Sequence, residues 1–353
     1  MAQKYYDIKD DFAAYPDAFA YLCWSKRGPG KTYSTLRYMI EHEKSFLFIK
    51  RTIDDVEMLC TDGSKKGVVF DVSPFKPLNR DFGWNYKPVL IKKSVAGIYK
   101  TDLEGKAYGK PVGYVCALSD TKTVKGFDMS EVDYIIFDEF IPRKGERVSR
   151  SEGEQLLSIY MTVRRDRMLR GKEELKLVCL ANAEQVNNPV FMLFDVVDYA
   201  VDMDMTSTEF KYLKEKKILL HFINAGYAAE TEKSAVEIAM SGTEWADMAF
   251  GGHFAYDDFT NVHKKNLKGY KPVCSYEYKK KTTYVYVKDG WYHASRSAGK
   301  MPYHYDLSRE NQQKKFYYDF IRDLRAETIE DRFTFEKFTD YDLIVNYKKI
   351  FEM

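Results

Sequence analysis

Long hydrophobic runs are missing from this sequence of 353 residues. No apolar stretch approaches the roughly 20 residues that a helix needs to cross a bilayer, so no membrane-spanning helix is expected. The segment Met1 to Asp11 is polar and mixed in charge, and a secretory signal is not expected either. Repeats and low-complexity segments are absent as well. The composition, 45% hydrophobic and 31% charged, is typical of a soluble globular protein with two or more domains.

Cysteines are few and scattered along the chain. They are odd in number, and no spacing among them is that of metal ligands. Three lie inside apolar, strand-like runs, which predicts buried thiols in a reducing compartment. The five are Cys23, Cys60, Cys116, Cys179 and Cys274.

A strong overall charge is also missing, because 55 basic and 53 acidic residues leave a net charge of +2. This balance hides an asymmetry. Residues 263–353 carry 19 Lys and Arg against 13 Asp and Glu, a net charge of +6, and the rest of the chain carries −4. A basic tail domain on a slightly acidic body indicates either a polyanionic partner or simply a solvated surface.

A phosphate-binding loop is the first motif that the sequence does contain. An apolar run, 19–24, precedes it and a helix-like segment, 33–42, follows it, which gives the order strand, turn, helix. Backbone N–H groups and the helix N-terminus would converge on phosphate oxygens. Lys31 is expected to reach the outer phosphates of ATP, and the Thr32 hydroxyl to hold Mg²⁺. The predicted cofactor-binding residues are Ser25, Lys26, Arg27, Gly28, Gly30, Lys31 and Thr32.

Two residues depart from the usual pattern GxxxxGK[ST]. Ser25 stands where the first glycine is expected, so the chain must leave the strand without a residue that tolerates positive φ. Pro29 has no N–H and removes one potential phosphate donor. The alternative is an ordinary Gly-Pro turn. It is disfavoured because Gly-Lys-Thr opens a helix directly after a strand of buried type.

A second apolar strand, 134–137, runs into the paired carboxylates Asp138 and Glu139. Together with a phosphate loop upstream, this pair predicts the second half of an ATPase site. Asp138 would belong to the magnesium shell, and Glu139 would polarise the water that attacks the γ-phosphate. Lys50 and Arg51 end another predicted strand, where they are either ligand-binding groups or a solvated strand end.

Basic residues follow a predicted amphipathic helix at 152–165. Cations at a helix C-terminus stabilise its dipole, which is one explanation for Arg164 and Arg165. The other is an arginine that crosses to the nucleotide of a neighbouring subunit. Asn182, after a predicted strand at 175–180, either senses the γ-phosphate or caps its strand.

The remaining segments predict an antiparallel excursion, a helical connector and an α+β unit. Strand-like pieces occur at 68–70, 89–91 and 112–118; helices are predicted at 209–225 and 230–250; strands at 273–278 and 282–287 lead to an Asp289-Gly290 hairpin; and helices follow at 308–326 and 340–351.

Several of these motifs together resemble one known family. The order Lys-Arg-Gly-Pro-Gly-Lys-Thr (26–32), Lys125, Ile-Ile-Phe-Asp-Glu-Phe-Ile (135–141), Thr-Val-Arg-Arg (162–165) and Leu-Ala-Asn-Ala (180–183) is similar to that of the DNA-packaging ATPases of phi-29-type tailed bacteriophages. The resemblance implies an α/β P-loop domain of the additional-strand, conserved-glutamate class, with a mainly parallel central sheet. It places that domain at 1–202, a helical connector at 203–262, and at 263–353 an α+β, RNase H-like domain derived from a nuclease that has lost cleavage.

The resemblance also implies a role for single residues. Arg165, rather than Arg164, matches the position of an arginine finger supplied in trans, and Asn182 matches the polar sensor. Lys125 matches a basic residue near the subunit interface. The implied catalytic residues are Glu139, Arg165, Asn182 and Lys125, and the implied metal ligands are Thr32 and Asp138.

The function implied is ATP-driven translocation of double-stranded DNA into a preformed procapsid. The partners implied are the portal of that procapsid, further copies of the chain in a ring (a pentamer in this family) and, as a candidate, a structural RNA, with no membrane. The motor would work in the host cytoplasm, docked transiently on the procapsid. The alternatives are a packaging ATPase that also cuts DNA, a nucleotide-gated DNA-binding adaptor without motor activity, and a helicase.

Overall fold

The computed structural model describes residues 5–60, 73–143, 145–223, 235–243, 253–254 and 257–353. The chain forms two compact units. The first comprises Met1–Val196 and Asp202–Tyr256, and the second Val197–Val201 and Asp257–Met353. None of the described helices combines the length and the apolar character that a bilayer span needs.

A nine-stranded sheet forms the centre of the first unit. Its strands are β1 (Ala20–Ser25), β2 (Phe46–Lys50), β3 (Tyr86–Lys92), β4 (Val95–Thr101), β5 (Ala107–Ala117), β6 (Tyr134–Asp138), β7 (Lys176–Asn182), β8 (Phe210–Leu213) and β9 (Ile218–Ile223). Their order is β3-β4-β5-β2-β6-β7-β1-β9-β8. The middle of the sheet, from β5 to β9, is parallel. Its inner strands β2, β6, β7, β1 and β9 are almost entirely buried, as is typical of a parallel sheet. The mainly parallel α/β domain predicted from the sequence is confirmed.

Helices precede, connect and follow these strands. They are α1 (Ile8–Ala14), α2 (Lys31–Glu41), α3 (Ile53–Cys60), α4 (Phe75–Phe82), α5 (Thr121–Val124), α6 (Glu152–Arg164), α7 (Pro189–Phe194), α8 (Val197–Thr206) and α9 (Ala235–Met240). The helices predicted at 33–42 and 152–165 correspond to α2 and α6. The sequence did not reveal α3 and α4. All five cysteines are free, and four of them are buried.

The antiparallel excursion is confirmed where the structure describes it, because β4 pairs antiparallel with both β3 and β5. The strand-like piece at 68–70 lies outside the described residues. The helix predicted at 209–225 is wrong. These residues form β8 and β9, with β9 parallel to β1, and all six residues of β9 are buried. A short run whose side chains are buried on both faces is typical of an inner strand of a sheet. Lys217, with φ of 51°, ends the tight turn that precedes β9. Of the helix predicted at 230–250, the described part is α9.

The second unit contains a five-stranded mixed sheet. Its strands are β10 (Lys271–Tyr278), β11 (Lys281–Lys288), β12 (Trp291–Ser295), β13 (His304–Asp306) and β14 (Phe333–Phe335), in the order β13-β10-β11-β12-β14. Its helices are α10 (Glu310–Phe316), α11 (Arg322–Ile329), α12 (Phe338–Val345) and α13 (Tyr347–Ile350). A π-helical turn, Tyr317–Ile321, joins α10 to α11, so the predicted helix at 308–326 is present in three parts.

The hairpin predicted in this unit is also present. Asp289 and Gly290 connect β11 to β12 with φ of 51° and 80°, the positive values that a two-residue turn of this kind requires. The α+β character of the unit is confirmed. Its likeness to RNase H-type nucleases stays an inference from the family resemblance.

Candidate nucleotide site

The loop between β1 and α2 has the backbone that its sequence predicts. Gly28 and Gly30 take φ of 94° and 90°, in the left-handed region that favours glycine, and Gly30 directly precedes α2. Ser25 remains in the strand without positive φ, so the missing first glycine introduces no strain. The carbonyl of Pro29 accepts a hydrogen bond from the N–H of Tyr6 at 3.0 Å, which ties the loop to the chain that precedes α1.

Lys31 is buried at the centre of this loop, with 8% of its surface exposed. Its ammonium donates to Ser25 Oγ at 2.5 Å, to the carbonyl of Lys26 at 3.2 Å and to Asn182 Oδ1 at 3.4 Å. Burial lowers the pKa of Lys31 to about 8, while the charge of Asp138 opposes the shift. The three acceptors of this desolvated cation are neutral oxygens, and an anionic phosphate would bind it more strongly.

One cleft, of 280 Å³, collects most of the predicted site residues, and we call it the nucleotide cleft. It is lined by Gly28, Pro29, Gly30, Lys31, Thr32, Tyr33, Asp138, Glu139, Ala181 and Asn182. Adjacent parallel strands end at the same edge of a sheet, which brings Asp138 and Asn182 to the loop. Three predicted loop residues do not line the cleft, and the first of them, Ser25, accepts from Lys31. Lys26 contributes its carbonyl, and Arg27 is exposed with its guanidinium 3.8 Å from Glu184.

The acidic edge of the cleft provides oxygen ligands. Thr32 Oγ1 donates to Asp138 Oδ1 at 2.9 Å. A hydroxyl and a carboxylate side by side are the hard ligands that Mg²⁺ takes beside nucleotide phosphates, so the residues present fit that ion.

Glu139 has φ of 58°, an unusual backbone conformation for a glutamate, and its side chain pairs with Arg143 at 3.1 Å. Its carbonyl accepts from Arg51 at 2.9 Å. The same guanidinium pairs with Glu152 at 2.7 Å and Glu146 at 3.1 Å, and this clamps the chain after β6 to the start of α6. Sequence reasoning missed the positioning role of Arg51.

Lys50 is the second residue whose place the sequence left open. Its ammonium lies 2.8 Å from Asp138 Oδ2, so it belongs to the site and is not a solvated strand end. The signal that could have found it is the pairing of β2 with β6. Ile49 faces Phe137 in the register, which makes Lys50 and Asp138 the next neighbours along the two strands.

Arg165 and Lys125 lie elsewhere. They line a second cleft of 760 Å³, here called the α6 cleft, whose residues are Lys125, Glu154, Leu157, Ser158, Met161, Thr162, Arg164, Arg165 and Asp166. Both side chains are exposed and have no hydrogen bond or ion pair with any described residue. Arg164, in contrast, pairs with Glu174 at 2.7 Å, and buried Arg167 pairs with Asp133 at 3.0 Å. The two clefts share no residue, so within one chain Arg165 does not line the nucleotide cleft.

A mainly parallel sheet with this loop at one strand end and an Asp-Glu pair at another defines an α/β domain of the P-loop class. The chain belongs to the Podovirus DNA encapsidation protein (Gp16) family, whose sequence model matches residues 102–312, more than half of the chain. The family resemblance seen in the sequence is thereby confirmed.

Individual relatives agree with this assignment. A DNA packaging protein of Bacillus phage B103 is 25% identical over 259 residues, which cover 72% of this chain and 69% of the relative. That of Bacillus phage PZA is 28% identical over 180 residues, covering 51% of this chain and 50% of the relative. A chain of the bacteriophage phi-29 viral genome packaging motor assembly superposes with a TM-score of 0.66 at 20% identity over 99% of both chains. A chain of the phi-28 gp11 DNA packaging motor gives 0.58 at 17% identity over 95% of both, and these two likenesses establish the fold.

Proposed function

We propose that this chain is an ATP-driven motor that moves double-stranded DNA into a preformed procapsid, as a ring of identical subunits with ATP hydrolysed between them. Membership in a family of DNA encapsidation proteins supports the substrate and the process. The observation that carries the mechanism is the division of the predicted catalytic groups between two clefts. One holds Lys31 and Asp138, and the other holds Arg165, which has no ion-pair partner among the residues that the structure describes.

In the nucleotide cleft, Lys31 and the loop N–H groups bind the outer phosphates of ATP. Thr32 and Asp138 would hold Mg²⁺, which neutralises charge on the phosphates when it is bound. Glu139 orients the attacking water, and it must first leave Arg143 because a carboxylate in an ion pair is a weaker base. Asn182 contacts Lys31 and is placed to follow the γ-phosphate.

In the α6 cleft, Arg165 is the cation that reaches the nucleotide of the next subunit, and Lys125 accompanies it. The outer face of α6 supports a homotypic contact here. Leu157 and Met161 are 41% and 54% exposed and lie four residues apart on one face of α6, and they line the same cleft as Arg165. Exposed apolar side chains beside unpaired cations are typical of an interaction surface, and the occupant we propose is a second copy of this chain.

The remaining partners follow from the family. We propose that the protein docks on the procapsid in the infected host. There it would form a ring of five subunits, with a structural RNA at the portal. Contacts to DNA should be mainly to phosphates, since packaging cannot depend on sequence, and binding should therefore weaken steeply with salt. Residues 263–353, with a net charge of +6, are a candidate surface for them.

The test is ATP-dependent protection of DNA from added nuclease in the presence of procapsids, with ATP turnover measured in parallel. A motor protects DNA only while it hydrolyses ATP. A nucleotide-gated adaptor would bind DNA with little turnover. Plasmid DNA incubated with the protein and Mg²⁺ or Mn²⁺ should stay intact, because cleavage would indicate a packaging enzyme that also cuts.

A further inference from the structure

Lys50 forms an ion pair with Asp138, which lines the nucleotide cleft. Their side chains are 17% and 12% exposed, and the Lys50 ammonium lies 2.8 Å from Asp138 Oδ2. Phe48, two residues earlier on the same strand face, places its ring 5.3 Å below that ammonium. The carboxylate and the ring together fix the position of the charge.

Both oxygens of Asp138 are therefore engaged. Oδ1 accepts from the Thr32 hydroxyl, and Oδ2 accepts from Lys50. The groups that would hold a divalent cation are the same Thr32 and Asp138. Two cations on one carboxylate repel each other strongly in a partly buried site, so Lys50 and the ion cannot both keep full contact with Asp138.

We propose that Lys50 is an internal counter-cation, which neutralises Asp138 in the nucleotide-free site and competes with Mg²⁺ for it. Without Lys50, Asp138 would lose its ion-pair partner and repel an anionic triphosphate more strongly. With Lys50, the cleft admits ATP and resists Mg²⁺ that arrives without a nucleotide. The proposal rests on the nucleotide site of the proposed function and adds to it a residue that positions Asp138.

The proposal predicts effects of opposite sign on two ligands. In Lys50→Met, which keeps the stem and removes the charge, the affinity for ATP in EDTA falls about tenfold, because Asp138 then repels it. The Mg²⁺ concentration that gives half-maximal tightening of a bound non-hydrolysable ATP analogue falls about tenfold, because a competitor has gone. Both quantities are read from the fluorescence of a labelled analogue on the full-length protein, without catalysis.

Two variants serve as controls. Lys50→Arg keeps the charge and should move both quantities much less than Lys50→Met. Lys100→Met removes a lysine that also lies over an aromatic ring, 6.0 Å from the centroid of Tyr86, but on β4 and outside the cleft. It should change neither quantity. Thermal unfolding confirms that each variant is folded before binding is interpreted.

The outcomes separate the alternatives. Weaker binding of both ligands would make Lys50 a direct phosphate ligand, and two unchanged affinities would make it a bystander; either result overturns the proposal. If the wild-type protein binds no Mg·ATP, or if Lys31→Ala binds it normally, the proposed nucleotide site itself fails. If those two tests succeed and only Lys50→Met shows no opposed shifts, the counter-cation role alone is wrong.

Discussion

The nucleotide cleft and the α6 cleft belong to the same unit and differ in how their cations are paired. At the nucleotide cleft two cations have partners within the chain: Lys31 donates to neutral oxygens, and Lys50 pairs with the cleft residue Asp138. In the α6 cleft, Lys125 and Arg165 are exposed and lack partners within the described part of the chain. The nucleotide cleft holds the predicted phosphate-binding and metal-binding residues of one chain. We propose that the α6 cleft contacts a second copy of the chain and its bound triphosphate.

Of the changes considered, replacing Arg165 should have the largest effect, which is on ATP turnover. Arg165→Ala should reduce ATP turnover by about 10³-fold or more, since a finger contributes roughly 10³ to 10⁵ in rate. Nucleotide affinity should change much less than turnover, because an arginine finger stabilises charge that develops in the transition state. Steady-state hydrolysis and equilibrium binding give the two numbers.

Arg164→Ala is the matched control. Its guanidinium is already paired with Glu174 in a half-exposed ion pair, so we expect near-normal turnover and a stability change of about 0–1 kcal/mol. Equal losses in both variants would show that the helix end, and not Arg165, is what matters.

Replacing Lys31 tests whether the nucleotide cleft binds ATP. Lys31→Ala should weaken ATP binding about 100-fold, because it removes a buried cation from the phosphate site. Equilibrium binding of a fluorescent analogue measures the effect. Normal affinity in this variant would discard the loop assignment.

The apolar face of α6 should govern assembly. Leu157→Glu with Met161→Glu should raise the protein concentration for half-maximal ATPase activity about tenfold, because two charges would be buried at the contact. Sedimentation should show fewer oligomers. Leu103→Glu, at a fully exposed position between β4 and β5, is the control and should behave as wild type. Assembly unaffected by the α6 pair would place the contact elsewhere.

The smallest effect is on pH dependence. The pKa of Lys31 in the free protein is about 8, and bound phosphates favour its charged form. Nucleotide affinity should therefore be constant below pH 8 and fall by up to about tenfold per unit above it. Titration of the dissociation constant from pH 7 to 9 checks the sign. A flat profile would mean that Lys31 remains charged throughout.

The sequence predicts what is local in this molecule. The residue types from Ser25 to Thr32 are enough to predict the loop conformation. The apolar strand that ends in Asp138 and Glu139 can also be recognised without a structure. The lack of an ion-pair partner for Arg165 among the described residues cannot be predicted from the nearby sequence. It depends on Glu174 taking Arg164 and on Asp133 taking Arg167, across 10 and 34 positions of the chain.

Contacts set by strand register are harder to predict. Lys50 reaches Asp138 because β2 and β6 are paired in a register that places the two residues side by side. The sequence of neither strand predicts this pairing. The error at 209–225 has a related cause. The run Ile218–Ile223 is buried on both faces, so it shows no period that separates a strand from a helix. The sheet order decides such cases.

The central claim is that two copies of the chain share one site, and mixing two inactive variants tests it most directly. Arg165→Ala lacks the finger but keeps an intact nucleotide cleft, and Glu139→Ala lacks the catalytic carboxylate but keeps the finger. We expect each to be inactive alone and the mixture to regain part of the wild-type ATPase rate. Mixed oligomers that form, as shown by two-colour labelling, and yet hydrolyse no ATP would contradict the account.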